Sequence, residues 1–194
     1  TDYVFDGTGA RPYTEQSVPA PRSVYGKSKL AGDLAVLASQ AEAYVFRVGW
    51  VYGRRGRNFL RTIERLAGER EELRVVADQI GGPTWSSAIA TATTDAIGQW
   101  LHARRSGHAA PPRGVYHMAP PDHTTWHGFA EEIVRAMTFP VGKERPPVIA
   151  IMSAEYPTPA ARPAWSVLDA RLLRETFRIE LPPWRDQMAQ CMES

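Results

Sequence analysis

The sequence is short of cysteine, of lysine, of net charge and of long apolar runs. A single cysteine, Cys191, stands among 194 residues, so no intrachain disulfide and no cysteine-based metal site can form. A reducing cytoplasm is the simplest expected compartment. No apolar run approaches the ~20 residues of a membrane span. Neither a signal peptide nor an initiator Met is visible, and the chain opens Thr1-Asp2-Tyr3-Val4-Phe5. The 23 basic and 21 acidic residues leave a net charge of +2, which gives no electrostatic reason to expect nucleic acid or a membrane surface as a partner. Of the five histidines, His123 and His127 have i, i+4 spacing, but no carboxylate pattern marks them. They read as a hydrated loop, and no metal site is expected.

Lysine is the informative shortage. Only Lys27, Lys29 and Lys143 occur among the 23 basic residues; the rest are Arg, a bias that suggests a GC-rich bacterial genome. Two of the three fall in Tyr25-Gly26-Lys27-Ser28-Lys29. Where Arg is used almost everywhere, a retained Lys is a candidate for a role that Arg cannot fill.

What is present reads as an ordinary globular chain, 43% hydrophobic and 23% charged. Val4-Phe5 has the character of a buried strand end, and Asp6-Gly7 that of a turn. A Pro-rich loop leads to a helix from about Ser23 to Ser39, with Tyr25, Lys29, Leu30, Leu34 and Leu37 at helical spacing. Strands are expected at 44–48, 73–76, 115–118 and 148–151, and helices at 59–67, 84–101, 126–137, 169–177 and 184–192. Asn58, Thr84 and Thr124 or Thr125 are the expected N-caps. A Pro-rich loop is expected from Pro157 to Pro163. Alternating strands and helices predict α/β units with parallel pairing. No Gly-x-Gly-x-x-Gly occurs, and Gly49-x3-Gly53-x2-Gly56 has the wrong spacing for a pyrophosphate cradle.

Tyr25 and Lys29 are four apart on the expected helix and so share a face. A nearby ammonium favours a phenolate, so such a pair can exchange a proton with an alcohol or ketone oxygen. A hydroxyl from another element could polarise the same oxygen. As a bare pattern, Tyr-x3-Lys is also what any exposed helix can carry.

The surrounding motifs narrow this. Thr1-Asp2-Tyr3-Val4-Phe5-Asp6-Gly7, Pro12-Tyr13-x-Glu15, Tyr25-Gly26-Lys27-Ser28-Lys29-Leu30, Arg47-x2-Trp50-Val51-Tyr52-Gly53, Asn58-Phe59, Asp78-Gln79-x-Gly81-x-Pro83-Thr84 and Arg162-Pro163-x2-Ser166 follow one another. Together they resemble the dTDP-4-dehydrorhamnose reductase branch of the extended short-chain dehydrogenase/reductase family, over nearly the whole chain. The resemblance implies a doubly wound, Rossmann-like α/β fold, incomplete at its N-terminus, with a smaller C-terminal α/β lobe for the substrate. Residues 1–60, with part of 84–118, would belong to the dinucleotide-binding domain, and 61–194 mainly to the sugar-nucleotide lobe. By length the chain would correspond to the C-terminal two-thirds of such an enzyme, and would not turn over by itself.

The resemblance further implies a catalytic set of Thr1, Tyr25 and Lys29. Tyr25 and Lys29 would also meet the cofactor, NADPH or NADH. Trp50, Asn58 and Arg162 would contact a dTDP-sugar, although a core Trp, a helix cap and a surface ion pair are the plain alternatives. Arg54, Arg55 and Arg57 form a basic loop, more simply read as solvated. Asp78-Gln79 and Pro83-Thr84 read as turn and cap. Some relatives join subunits through Mg²⁺ held by carboxylates, one of them just after the Pro-Thr. Here Trp85-Ser86-Ser87 carries no acid, so no such bridge is expected, and monomer and homodimer both stay open. The implied activity is reduction of dTDP-4-dehydro-6-deoxy-L-mannose to the rhamnose nucleotide, for bacterial surface polysaccharide. Two alternatives share the motifs. One is a non-catalytic module like the regulatory subunit of methionine adenosyltransferase; the other is a sugar-nucleotide epimerase or dehydratase.

Overall fold

The computed structural model describes residues 1–39, 41–160 and 162–194; of the expected Pro157–Pro163 loop, Ala161 lies outside the described residues. Eight short strands pair two by two. β1 (Tyr44–Arg47) runs parallel to β6 (Gly114–His117), with Tyr44 opposite Gly114. β2 (Val51–Tyr52) runs parallel to β5 (Thr84–Trp85), and β3 (Leu73–Val76) to β8 (Val148–Ile151). The fourth pair, β4 (Ile80–Gly81) with β7 (Thr124–Thr125), is antiparallel, against the expectation. It joins two loop segments, which escape the crossover constraint that makes β-α-β neighbours parallel.

The helices are α1 (Val24–Ala38), α2 (Phe59–Glu69), α3 (Ser86–Ser106), α4 (Trp126–Ala136), α5 (Arg171–Phe177) and α6 (Trp184–Glu193). Ser23, Asn58 and Thr125 cap α1, α2 and α4 through side-chain oxygens that accept N–H groups of the first turn. Thr84 does not cap α3. It is wholly buried in β5, its hydroxyl donates to the Gly82 carbonyl, and α3 begins after Trp85. α3 continues past Leu101 until Gly107, whose φ of 69° supplies the left-handed stop.

Val4 and Phe5 are buried as expected, but not in a strand. Asp2–Val4 is a 3₁₀ turn closed by Phe5 N–H donating to the Asp2 carbonyl at 3.1 Å. Phe5 stacks on Tyr13 with centroids 4.3 Å apart. A two-residue apolar run does not distinguish a buried strand from a buried turn.

Burial divides between two main cores. Leu60, Ile63, Phe129, Ile133, Trp184 and Met188 fill one, between α2, α4 and α6. Ala96, Tyr116, Met118, Leu173 and Phe177 fill the other, around β6, α3 and α5. α1 packs against the Asp2–Val4 turn. Among the described residues no helix is long and apolar enough to cross a membrane.

Candidate active site

Two tethers fix α1. The first is at Gly26, where an added methyl would stand 2.2 Å from the Tyr3 carbonyl oxygen. Glycine therefore lets the helix lie directly on the Asp2–Val4 turn, and Tyr25 meets Tyr3 edge-on at 5.7 Å. The second is one face of the helix itself. Tyr25, Lys29 and Asp33 recur at i+4 intervals, and Asp33 accepts from Arg47 Nε on β1 at 2.9 Å. That pair is desolvated, with side-chain exposures of 14% and 5%, and the guanidinium also lies 5.5 Å from the Phe5 ring.

Between these tethers Tyr25 stays open to solvent, 51% exposed. Lys29 Nζ lies 5.8 Å from its ring centroid. Among the described residues Lys29 makes no ion pair. Thr1 sits at the N-cap of the 3₁₀ turn, its hydroxyl donating to Asp2 Oδ1 at 3.0 Å, and the turn it caps packs against α1. The structure thus gathers Thr1, Tyr25 and Lys29 at one end of α1. Asp2, a residue the sequence did not single out, is buried behind them. Its Oδ2 has no hydrogen-bond partner among the described residues, and burial pushes its carboxyl above the ordinary range.

Asp2 also touches the second part of the site. A methyl on Gly49 would come within 3.0 Å of the Asp2 carboxylate. The next residue, Trp50, holds a left-handed backbone at φ 48°, a conformation that costs a side-chain-bearing residue roughly 1–2 kcal/mol. Several contacts over-determine it. Trp50 Nε1 donates to Ser166 Oγ at 3.0 Å, and that hydroxyl donates onward to the Ile80 carbonyl. The indole stacks on Trp126 at 3.5 Å with 2° between planes. A methyl on Gly81 would lie 2.4 Å from the same ring. Motif residues far apart in sequence therefore converge to hold one side chain.

Asn58 and Arg162 fall apart from this group and from each other. Asn58 Oδ1 caps α2, while its Nδ2 donates to the Gly53 and Arg55 carbonyls. Its polar atoms are thus engaged in shaping the basic loop, where Arg54 pairs with Glu64 at 2.8 Å. Arg162 borders two clefts. One, of about 420 Å³, has an apolar floor that includes Ile63 and Leu66, aromatic walls from Phe59, Trp126 and Tyr156, and Arg70, Arg74 and Arg162 around it. The other, of about 240 Å³, reaches Tyr3, Asp6 and Arg22 beside the start of α1. Asp78 and Gln79 are locked onto Ser153: its N–H and hydroxyl donate to Asp78, and Gln79 Nε2 donates to its hydroxyl. Trp126, Tyr156, Arg70 and Arg74 carried no sequence signal, because nothing in their spacing shows that α4, the segment after β8 and the end of α2 line one cavity.

Histidines here are structural. His127 lies inside α4, bonded to the Val148 carbonyl at 3.0 Å and facing Glu131 at 3.2 Å, not in a hydrated loop. The Glu131 partner sits one helical turn on. No cluster of three or more potential metal ligands occurs among the described residues. His117 is fully buried behind Arg47, with Nδ1 3.0 Å from the Tyr13 carbonyl, and its N–H donates to Glu15 at 2.7 Å. Burial, reinforced by the Arg47 charge, holds its imidazole down at about 4. The unfolded chain takes up a proton near pH 6.5 that the native imidazole refuses. Stability contributed by this group is therefore complete above pH 6.5, and falls by about 3 kcal/mol as pH drops to 4. Asp2 and Glu15, both pushed up mainly by burial, work in the opposite sense at lower pH, so the measurement is a comparison. Urea unfolding at pH 7.5 and pH 4.5 should show a smaller loss for His117→Asn than for the wild type.

Parallel α/β units define a Rossmann-like α/β protein. The chain belongs to the family described as the RmlD substrate binding domain, whose model matches residues 1–194. It is 47% identical to a dTDP-4-dehydrorhamnose reductase of Burkholderia thailandensis, covering 99% of this chain and 65% of that protein. It is 38% identical to the Escherichia coli K12 protein of the same name, covering 95% of this chain and 60% of that one. The fold matches the crystal structure of the Bacillus anthracis dTDP-4-dehydrorhamnose reductase in complex with NADP, with a TM-score of 0.84 and 31% identity, over all of this chain and 63% of that one. The chain thus spans somewhat less than two thirds of the length of these relatives.

Proposed function

We propose that this chain carries the proton-transfer helix and the sugar-nucleotide cleft of an NAD(P)H-dependent reductase. The reaction is reduction of dTDP-4-dehydro-6-deoxy-L-mannose to dTDP-L-rhamnose, the last step of dTDP-rhamnose synthesis. The observation that carries this reading is the open Tyr25–Lys29 pair, with Arg162 bordering both the cleft beside Tyr3 at the start of α1 and the arginine-rimmed cleft that Trp126 lines. The names of the relatives, and the NADP in the Bacillus anthracis structure, agree with it.

In this reading Tyr25 donates its phenolic proton to the C4 oxygen of the keto-sugar as that carbon is reduced. Lys29 stands beside the phenolate left behind. Its exposed ammonium suits the ribose hydroxyls of a nicotinamide nucleotide, a cofactor that supplies the hydride when bound. Thr1 orients the reacting oxygen or Tyr25, and Trp50 walls the sugar. Arg162, between the two clefts, meets the diphosphate as a fork of donors, with Asn58 acting through the loop it shapes. Residues 1–60, with part of 84–118, serve the cofactor side and 61–194 mainly the sugar nucleotide. A cytoplasmic enzyme without nucleic-acid or membrane partners fits the balanced charge.

Two measurements test this. Thymidine diphosphate should bind the chain by calorimetry, with affinity about tenfold weaker in Arg162→Ala. A chimera that adds the remaining third of the Burkholderia thailandensis relative should oxidise NADPH only when the dTDP-keto-sugar is supplied. Conversion of a dTDP-sugar without net NADPH oxidation would replace the reductase reading with the epimerase or dehydratase one.

A further inference from the structure

The two halves of the site share an aromatic side chain, that of Trp126. Trp126 is the first residue of α4, placed there by the Thr125 cap. Its indole lies parallel to Trp50 at 3.5 Å, meets Phe59 at 4.5 Å, and lines the arginine-rimmed cleft. Trp50 itself does not line that cleft. It sits in a left-handed backbone, with Gly81 against the ring and Ser166 at its nitrogen. Trp126 is therefore a direct contact through which an occupant of the cleft can act on Trp50.

We propose that Trp126 is a positioning residue that links the nucleotide cleft to the sugar-facing turn, so that a nucleoside diphosphate in the cleft orders Trp50 through the indole stack. This rests on the nucleotide reading of the cleft given above. The physical basis is geometric. Two parallel indoles in van der Waals contact move as one slab, and Phe59 buttresses that slab from the α2 side. A diphosphate held by the nearby guanidiniums brings its base or sugar against the same wall. The stack then restricts the rotamer of Trp50 before the reacting sugar is engaged, which lowers the ordering cost of binding.

The test uses the chain itself, with thymidine diphosphate as the probe. Two closely stacked indoles give an exciton couplet in circular dichroism, which reports the Trp50–Trp126 pair directly. The expected result is a couplet in the free wild-type chain that grows on adding thymidine diphosphate, with the midpoint found by calorimetry. Trp126→Leu keeps apolar packing against Phe59 but removes the stack; it should lose the couplet and weaken binding about tenfold. Trp126→Phe restores a stackable ring and should bind within about threefold of wild type. A residue that merely fills the core would give Leu and Phe variants of equal affinity. Trp126→Leu binding within twofold of wild type, or a couplet that ignores the nucleotide, overturns the inference and leaves the function reading standing. No binding of thymidine diphosphate to the wild-type chain overturns both.

Discussion

Tyr25→Phe should lower the rate of keto-sugar reduction by about 10²–10⁴-fold while leaving the affinity for thymidine diphosphate unchanged. The argument is one of position. The Tyr25 ring is held from one side by Tyr3 and half of the residue faces solvent, so loss of the hydroxyl removes no buried hydrogen bond and costs the fold little. Phe keeps the edge-on contact with Tyr3, which leaves α1 seated on the Asp2–Val4 turn. What disappears is the phenolic proton beside the Lys29 ammonium. Neither Tyr25 nor Lys29 lines the proposed nucleotide cleft, so binding there should not register the change. Steady-state NADPH oxidation by the chimera, set beside calorimetry on the chain, separates the two effects. A Phe variant with wild-type turnover would remove Tyr25 from the chemistry.

Asp33→Leu should destabilise the chain by about 3–5 kcal/mol, because it strands a buried guanidinium without its counter-charge. For a protein of this size that corresponds to a fall in Tm of roughly 10 °C or more. Arg47 is the more deeply buried partner, and the Phe5 face beside it cannot replace a carboxylate; Glu15 is within electrostatic reach but makes no ion pair with it among the described residues. The double variant Asp33→Leu with Arg47→Met should recover much of the loss, since a buried ion pair exchanged for apolar groups of similar volume is often neutral. Urea unfolding of the two single variants and the double gives the coupling directly. A double variant as unstable as the single one would show that the pair contributes packing and not charge compensation. The same pair sets the position of α1 relative to β1, so Asp33 supports Lys29 from one turn away.

The helices were the most legible elements, each for a local reason. Ser23, Asn58 and Thr125 announce their helices because an N-cap is satisfied within four residues of itself. The apolar β-rich runs at Tyr44–Arg47, Leu73–Val76 and Val148–Ile151 were legible because a buried strand needs little else. The short pairs β4 and β7 were not, since two residues carry no period. Thr84 misled because a Thr before a helix looks the same whether its hydroxyl caps that helix or, as here, bonds the Gly82 carbonyl inside a closed core. His127 misled for a different reason: Glu131 lay one turn on within the expected helix, but its other partner, the Val148 carbonyl of β8, is brought near only by packing.

The candidate site divides along the same line. Tyr25 and Lys29 were legible together because a helix turns i and i+4 onto one face whatever surrounds it. Their tethers could not be read. Gly26 against the Tyr3 carbonyl, Asp33 against Arg47, and Asp2 beneath Gly49 are contacts between segments that only packing brings within 4 Å. The cleft is still less local, since Trp126, Arg70, Arg74 and Tyr156 come from four separate stretches.

By itself the sequence determined the α/β alternation, the helix caps, the Tyr25–Lys29 face and, through ordered motifs, the family. Each depends on chemistry within a few residues or on a pattern that survives without coordinates. Only the tertiary structure decided that Asn58 is occupied by its loop, that Arg162 stands between two clefts, and that Trp50 is held in a strained backbone by Trp126, Ser166 and Gly81. Those outcomes depend on which surfaces meet when the two cores close, and burial is a property of the whole chain.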